Sequence, residues 1–121
     1  MKLSKSEEEL MSHLWEKEKA FMKDLLEAYD DPKPAPTTIA TLLKRMTDKG
    51  FVGYTLFGKS RQYYPLVEKS SYFSKHVNGL IKNFFNDSAS QFASFFTKET
   101  QLSQEELKEL RKIIDQQIDK K

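Results

Sequence analysis

The side chains in this sequence with the most suggestive chemistry lie on one face of a helix predicted between Pro36 and Gly50. Four apolar residues recur there at the i, i+3, i+4 and i+7 spacing of a buried stripe: Ile39, Leu42, Leu43 and Met46. The opposite face carries short hydroxyls and two long cations: Thr37, Thr38, Thr41, Lys44 and Arg45. A helix face that is merely solvated usually mixes charges of both signs, but here no acid occurs before Asp48. Groups of these types can bind phosphates and base edges.

The positive charge of the chain is concentrated in the segment that contains this helix. Residues 1–32 hold five Lys and nine acids (−4), residues 33–64 hold six Lys or Arg and one acid (+5), and residues 65–121 hold nine and eight (+1). These three values add to the net charge of +2. Segregated charge is typical of a surface that binds a polyanion. Chance clustering is the alternative that charge counting leaves open.

Two further helices are predicted before this one. Ser4 with Glu7, and Ser6 with Glu9, fit the capping box that begins a helix. A second helix is predicted over residues 20–29, and the prolines that follow it must end it.

A β-hairpin is predicted after Gly50, which is a natural helix terminator. Aromatic and β-branched residues flank a Gly-Lys-Ser turn at 58–60, and Pro65 marks the end of the second strand. Three helices followed by a hairpin are the order of a winged helix-turn-helix. The predicted fold class is therefore mainly α with a small β-hairpin, with a winged helix-turn-helix (three helices and a two-stranded wing) over residues 1–67.

The rest of the chain, residues 68–121, is predicted to form three helices. These three helices carry more apolar surface than about 50 residues can bury among themselves, since a small isolated domain buries only ~60% of its chain's surface. We expect this helical region to pair two copies in a two-fold dimer, the commonest form of association. The alternative is that these helices fold back onto the N-terminal domain. The residues expected at the dimer interface are Phe73, Val77, Leu80, Phe84, Phe92, Phe96, Leu107, Leu110, Ile114 and Ile118.

Three separated motifs resemble one family when taken in order. "LSKSEEELMSHLWE", "TTIATLLKRMTDKGFV" and "RQYYPLVEK" are similar to the first helix, the third helix and the second wing strand of the BlaI/MecI/CopY family of penicillinase and methicillin-resistance repressors. The likeness is strongest over residues 3–70. It extends through the tail by layout and by "EELKELRKII".

The resemblance implies a bacterial repressor that binds double-stranded DNA as a homodimer on a palindromic operator. The cytoplasm is its expected location, because the sequence has no apolar run of membrane-spanning length and no Cys. Its third helix, residues 37–49 here, is expected in the major groove. The matching positions that face the groove are Thr38, Thr41 and Arg45, with Lys44 near a phosphate and Thr37 beside them. In the wing, Lys59 and Arg61 are expected to contact the DNA backbone or the minor groove.

Two branches of the family use signals that bear on this chain. In the penicillinase and methicillin-resistance branch, induction involves proteolysis at an Asn-Phe bond, which makes a sensor protease a candidate partner. The corresponding pair here is Phe95-Phe96, which lacks the Asn. The copper-responsive branch uses a cysteine-rich metal motif, and this chain has no Cys.

Several classes of function are disfavoured by the sequence. His13 and His76 have no His or Cys partner at metal spacing, and "GKS" at 58–60 lacks the upstream glycine of a phosphate loop. We therefore expect no enzyme activity, metal or cofactor. No apolar run approaches the ~18 residues of a membrane span, so no membrane partner is expected.

The sequence leaves open two alternatives to a simple repressor. A winged helix can act as a protein-interaction module whose basic face meets an acidic partner. An effector-sensing regulator is the other alternative, with a ligand pocket lined by phenyl rings. The rings that would line it are Phe84, Phe85, Phe92, Phe95 and Phe96.

Overall fold

The structure, a computed structural model, describes residues 2–120 and contains within them six helices and three strands. The helices are α1 (Lys5–Lys17), α2 (Met22–Ala28), α3 (Pro36–Asp48), α4 (Lys69–Phe84), α5 (Ala89–Glu99) and α6 (Gln104–Asp119). The strands are β1 (Ala20–Phe21), β2 (Val52–Phe57) and β3 (Ser60–Pro65). This confirms the predicted fold class, a winged helix-turn-helix followed by a helical region. The chain divides into two compact units at the bond between His76 and Val77, here called the first and second units.

The core of the first unit forms where α1, α2 and α3 pack together with the sheet. The stripe predicted on α3 is buried along its whole length, with Leu42 the most exposed member at 7%. Each such apolar side chain contributes ~1.5–3 kcal/mol when it is removed from water. The largest side chains that are fully buried are Leu10, Met11, Leu14, Leu25, Ile39, Leu43, Met46 and Val52.

The second helix begins two residues later than predicted, because Ala20 and Phe21 form a short strand. Ala20 pairs with Tyr63 and Phe21 with Gln62, so the sheet has three antiparallel strands in the order β1-β3-β2. The backbone N–H of Phe21 donates to the Asp24 carboxylate at 2.9 Å, which starts the helix after Phe21. A two-residue strand has too little periodicity to be recognised in the sequence.

The predicted helix starts and stops are confirmed at several positions. Ser4 and Glu7 form the capping box of α1, and Pro36 is the first residue of α3. Gly50 follows α3 with a φ of +82°, and the Phe51 N–H donates to the Met46 carbonyl at 2.9 Å, as in a Schellman motif. This geometry turns the chain from α3 directly into the wing.

The hairpin turn is shorter than predicted. Gly58, with a φ of +63°, and Lys59 form the turn, whereas Ser60 already pairs with Phe57 as the first residue of β3. Lys59 therefore stands at the tip of the wing.

The first turns of α4 belong to the first unit. The Tyr72 hydroxyl accepts a hydrogen bond from the Leu3 N–H at 3.1 Å and donates to the Glu8 carboxylate at 2.7 Å. The Phe73 ring lies 5.8 Å from the Trp15 ring, measured between centroids. These contacts attach the first turns of α4 to α1, and the first unit extends to His76.

The second unit leaves its apolar side chains accessible. None of residues 77–120 is buried, and Phe84 on α4 is 74% exposed. The phenyl rings touch one another instead, with Phe85 lying 5.4 Å from both Phe92 and Phe95. Among residues 2–120, no helix combines the length and the apolar character that crossing a membrane requires.

Replacing Gly50 tests the turn between α3 and the wing. Gly50→Ala should lower the free energy of unfolding by about 1–2 kcal/mol, because a Cβ disfavours the left-handed conformation. Gly50→Asn should cost less, since Asn tolerates that conformation. Urea unfolding followed by the fluorescence of Trp15 measures the stability of both variants. Equal stability of the Ala variant and the wild type would show that the left-handed conformation at position 50 does not require glycine.

Candidate nucleic-acid interface

The exposed face of α3 carries all five of the predicted contact residues of this helix. Thr37, Thr38, Thr41, Lys44 and Arg45 are each exposed, while the opposite stripe is buried. A helix of 13 residues is ~20 Å long, and the major groove of DNA, ~12 Å wide, admits an α-helix. The core therefore fixes the direction in which this polar face points.

Thr41 offers a methyl group and an acceptor rather than a free donor. Its hydroxyl donates to the carbonyl of Thr37 at 2.9 Å, one turn earlier in the same helix. The hydroxyl hydrogen is thus already used within α3. A threonine methyl can contact the C5-methyl of thymine, so this arrangement suits an apolar contact with a base.

Lys44 is held only weakly by its neighbour on the helix. Its ammonium lies 3.6 Å from the Asp48 carboxylate, and the two side chains are 82% and 68% exposed. Exposed pairs of this kind contribute ~0–1 kcal/mol. A phosphate can therefore replace Asp48 as the partner of Lys44 at little cost.

Glu7 is a residue of this site that the sequence did not reveal. It is only 2% exposed, and its Oε2 accepts a hydrogen bond from the Lys49 ammonium at 2.7 Å. The Arg45 guanidinium lies 3.9 Å from the same oxygen. The sequence showed Glu7 only as a capping residue, because its cations come from a helix some 40 positions away and no local spacing signals that pairing.

The ionisation of Glu7 is shaped by opposing effects. Burial by itself raises the pKa of this carboxyl, but hydrogen bonds from Lys49 and Ser4 outweigh burial, and the pKa lies below its ordinary value. The carboxylate is therefore charged at neutral pH and supplies a buried negative charge beneath two cations of the α3 end.

The wing supplies the two other predicted contact residues. Lys59 is exposed at the turn, and Arg61 is exposed on β3 opposite Leu56. The Arg61 guanidinium stacks over the Tyr54 ring at 4.4 Å from its centroid, a cation–π contact that restrains the side chain. Because β2 packs against α3 within the first unit, the wing and the α3 face belong to one compact body.

A groove with a volume of about 760 Å³ runs between α2 and the wing. It combines three cationic side chains with the single carboxylate of Asp24, which is already bonded to the Phe21 N–H. None of the five phenyl rings expected to line an effector pocket lines this groove. Its lining residues are Phe21, Met22, Lys23, Asp24, Leu26, Lys59, Ser60 and Arg61.

Both histidines lie beside tyrosines. His13 is 4.4 Å from the Tyr29 ring and His76 stacks 6.3 Å from the Tyr72 ring, measured between centroids. Burial, with a smaller contribution from the charge of Glu9, raises the pKa of Tyr29 to about 12.

Within residues 2–120, no three His, Asp or Glu side chains are grouped as a metal site requires.

The buried charge of Glu7 should make stability depend on pH. Because folding lowers the pKa of this carboxyl, its contribution is complete above the ordinary value of 4.5 and is lost as the pH falls through the lower folded value. Glu7→Gln should therefore cost about 1–3 kcal/mol of unfolding free energy at pH 7, and this cost should shrink in acid. Urea unfolding at a series of pH values measures it.

The exposed Glu9 on the same helix provides the control for that experiment. Glu9→Gln removes the same charge and should change stability by no more than ~0.5 kcal/mol at pH 7. Parallel curves for the Glu7→Gln variant and the wild type over the whole pH range would contradict the role given to the buried carboxylate.

Comparison with known proteins identifies the family. Residues 3–116 match the model of the penicillinase repressor family. The methicillin resistance regulatory protein MecI of Staphylococcus aureus strain N315 is 32% identical over 114 residues, which cover 93% of each chain, and MecI of Mammaliicoccus sciuri shows the same values. The penicillinase repressor of Bacillus licheniformis is 25% identical over 120 residues, 98% of this chain and 94% of its own. The resemblance seen in the sequence motifs is thus confirmed, and this chain belongs to the penicillinase repressor family.

Proposed function

We propose that this protein is a transcriptional repressor that binds a palindromic operator in double-stranded DNA as a homodimer. The observation that carries the proposal is the exposed hydroxyl and cation face of α3, fixed in direction by the buried stripe behind it. Membership of a repressor family supports the same conclusion. The protein would act in the bacterial cytoplasm, where its DNA is, without catalysis or a cofactor.

Each contact residue has a role suited to its chemistry. Arg45 has the forked guanidinium that binds the O6 and N7 acceptors of guanine, and Thr38 and Thr41 are suited to base edges and thymine methyl groups. Lys44 and Thr37 would bind phosphates, which fix the register of a protein on DNA without reading the sequence.

The wing would add contacts that do not depend on sequence. Lys59 at the turn and Arg61 on β3 would bind the DNA backbone, Arg61 from the position that its stacking on Tyr54 gives it. Each phosphate neutralised releases counterions, so these contacts strengthen binding to any duplex and make it dependent on salt.

Dimerisation would occur through the second unit. Its apolar residues are exposed or only half-buried, which fits a surface completed by a second copy. In a two-fold dimer, two α3 helices would enter successive major grooves about one helical turn apart, ~34 Å. Phe73 contacts Trp15 within the first unit, so the proposed interface rests on the others. These are Val77, Leu80, Phe84, Phe92, Phe96, Leu107, Leu110, Ile114 and Ile118.

Substitution of Arg45 and of Lys59 should separate base reading from backbone binding. Arg45→Ala should weaken binding to the preferred duplex by ~1–3 kcal/mol while changing binding to random DNA much less. Lys59→Ala should weaken both alike and reduce the salt slope by ~0.9 for each phosphate that the variant no longer neutralises. Fluorescence anisotropy with a duplex selected from a random library, and with a scrambled duplex, measures both effects.

Two results of that experiment would overturn parts of the proposal. If Arg45→Ala lowered affinity equally for selected and scrambled DNA, Arg45 would not read a base. If the wild type bound no duplex even at low salt, the protein would be an interaction module for other proteins rather than a DNA-binding repressor.

A charge placed on the apolar face of α6 should separate the dimer. Ile114 is 57% exposed, and Ile114→Asp should shift sedimentation velocity from dimer to monomer at micromolar concentrations, because a carboxylate cannot be buried unpaired in an interface. Gln116→Asp makes the same change of charge at a polar exposed position on the same helix and should remain dimeric. A wild-type protein that sediments as a monomer would contradict the proposed dimer.

A further inference from the structure

A single carboxylate connects the start of α1 to the end of α3. Oε1 of Glu7 accepts a hydrogen bond from the Ser4 N–H at 2.8 Å, while Oε2 accepts one from Lys49 at 2.7 Å and faces the guanidinium of Arg45 at 3.9 Å. The Glu7 side chain is 3% exposed, so its negative charge is directed almost entirely at these groups.

We propose that Glu7 is a positioning residue for base reading, which restrains the guanidinium of Arg45 before DNA is bound. The inference rests on the proposed function, since it assumes that Arg45 reads a base. It adds a residue of α1, outside the DNA-facing surface, to the determinants of operator specificity.

The distances on the two sides of the carboxylate suit this role. Lys49 is hydrogen-bonded and only 28% exposed, so it neutralises Glu7 and is held away from phosphates. Arg45 is 50% exposed and lies beyond hydrogen-bond distance, so its donors remain free for a base while electrostatic attraction limits its rotamers. Attraction by a buried charge is screened less than attraction between two exposed groups.

Restraint of this kind increases specificity through entropy. A long, flexible side chain loses rotamer freedom when it is immobilised at an interface, and the loss weakens binding roughly twofold to tenfold for each such side chain. If Glu7 has already narrowed the conformations of Arg45, less freedom is lost on binding to the correct base. Random DNA, which does not engage the guanidinium in this way, would gain nothing.

The structure also allows the positioning role to be tested apart from helix capping. Capping uses Oε1 and ion pairing uses Oε2, and glutamine serves in a capping box as well as glutamate does. Glu7→Gln therefore keeps the cap acceptor and removes the charge. Ser103 and Glu106 form the same two cap bonds in α6, at 3.0 and 3.1 Å, so Glu106→Gln is the matched control.

The test compares affinities for a duplex selected from a random library by the wild-type protein and for a scrambled duplex. Glu7→Gln should lower the ratio of the two affinities roughly twofold to tenfold. Binding to scrambled DNA should stay the same or tighten, because the protein gains positive charge. A merely structural defect would lower both affinities alike, and Glu106→Gln should leave the ratio unchanged.

A double-mutant cycle then shows whether Glu7 acts through Arg45. In the Arg45→Ala background, Glu7→Gln should no longer change the ratio. An unchanged ratio in the wild-type background, or the same fall in both backgrounds, would overturn the inference while leaving the proposed function intact. Failure of the wild type to prefer any duplex would overturn both.

A measurement on the wild-type protein keeps the inference testable if the Glu7→Gln variant does not fold. The heteronuclear ¹⁵N NOE of the Arg45 side-chain Nε should exceed that of Arg111, an exposed arginine on α6. Equal mobility of the two guanidinium groups in free protein would mean that Glu7 does not restrain Arg45, and the inference would be wrong.

Discussion

The burial of one apolar stripe of α3 is the constraint on which the rest of the first unit depends. Ile39 and Met46 are fully buried at the two ends of this stripe, so α3 cannot rotate about its axis without exposing them to water. The polar face is thereby directed outward as a consequence of core packing. Gly50 then ends the helix and turns the chain into the wing, which places the wing cations in the same body.

Core packing sets the direction of the polar face of α3, and charged groups then restrain the individual cations on it. The α3 segment is rich in cations, which repel one another. The buried carboxylate of Glu7 neutralises part of this charge. It accepts a hydrogen bond from Lys49 at 2.7 Å and lies 3.9 Å from the Arg45 guanidinium. Lys44, in contrast, has only the exposed Asp48 beside it. The cations of one helix are thus held to different degrees, which fits a division between reading bases and binding phosphates.

How far the sequence predicts this structure depends on how local each signal is. The stripe of α3, the Ser4 cap and the Gly50 turn are visible in short windows, because each arises from contacts within a few residues. The strand at Ala20–Phe21 was missed because its hydrogen bonds come from β3, more than 40 positions away. The Glu7 pairing was missed for the same reason. The exposed face of α3 was predicted correctly, but the Glu7 carboxylate that lies 3.9 Å from Arg45 was not.

The two units differ in how much of their apolar surface is buried, and this difference bears on how the protein would bind DNA. The first unit buries an aliphatic core around α3, which includes Leu10, Leu14 and Leu43, and can present α3 as a stable body. In the second unit, none of residues 77–120 is buried, so the helices α5 and α6 gain little from packing in one copy. A second copy would supply the missing burial, and it would bring a second α3 at the same time. The proposed dimer would therefore stabilise the second unit and double the length of DNA read, so that loss of pairing would weaken folding and operator binding together.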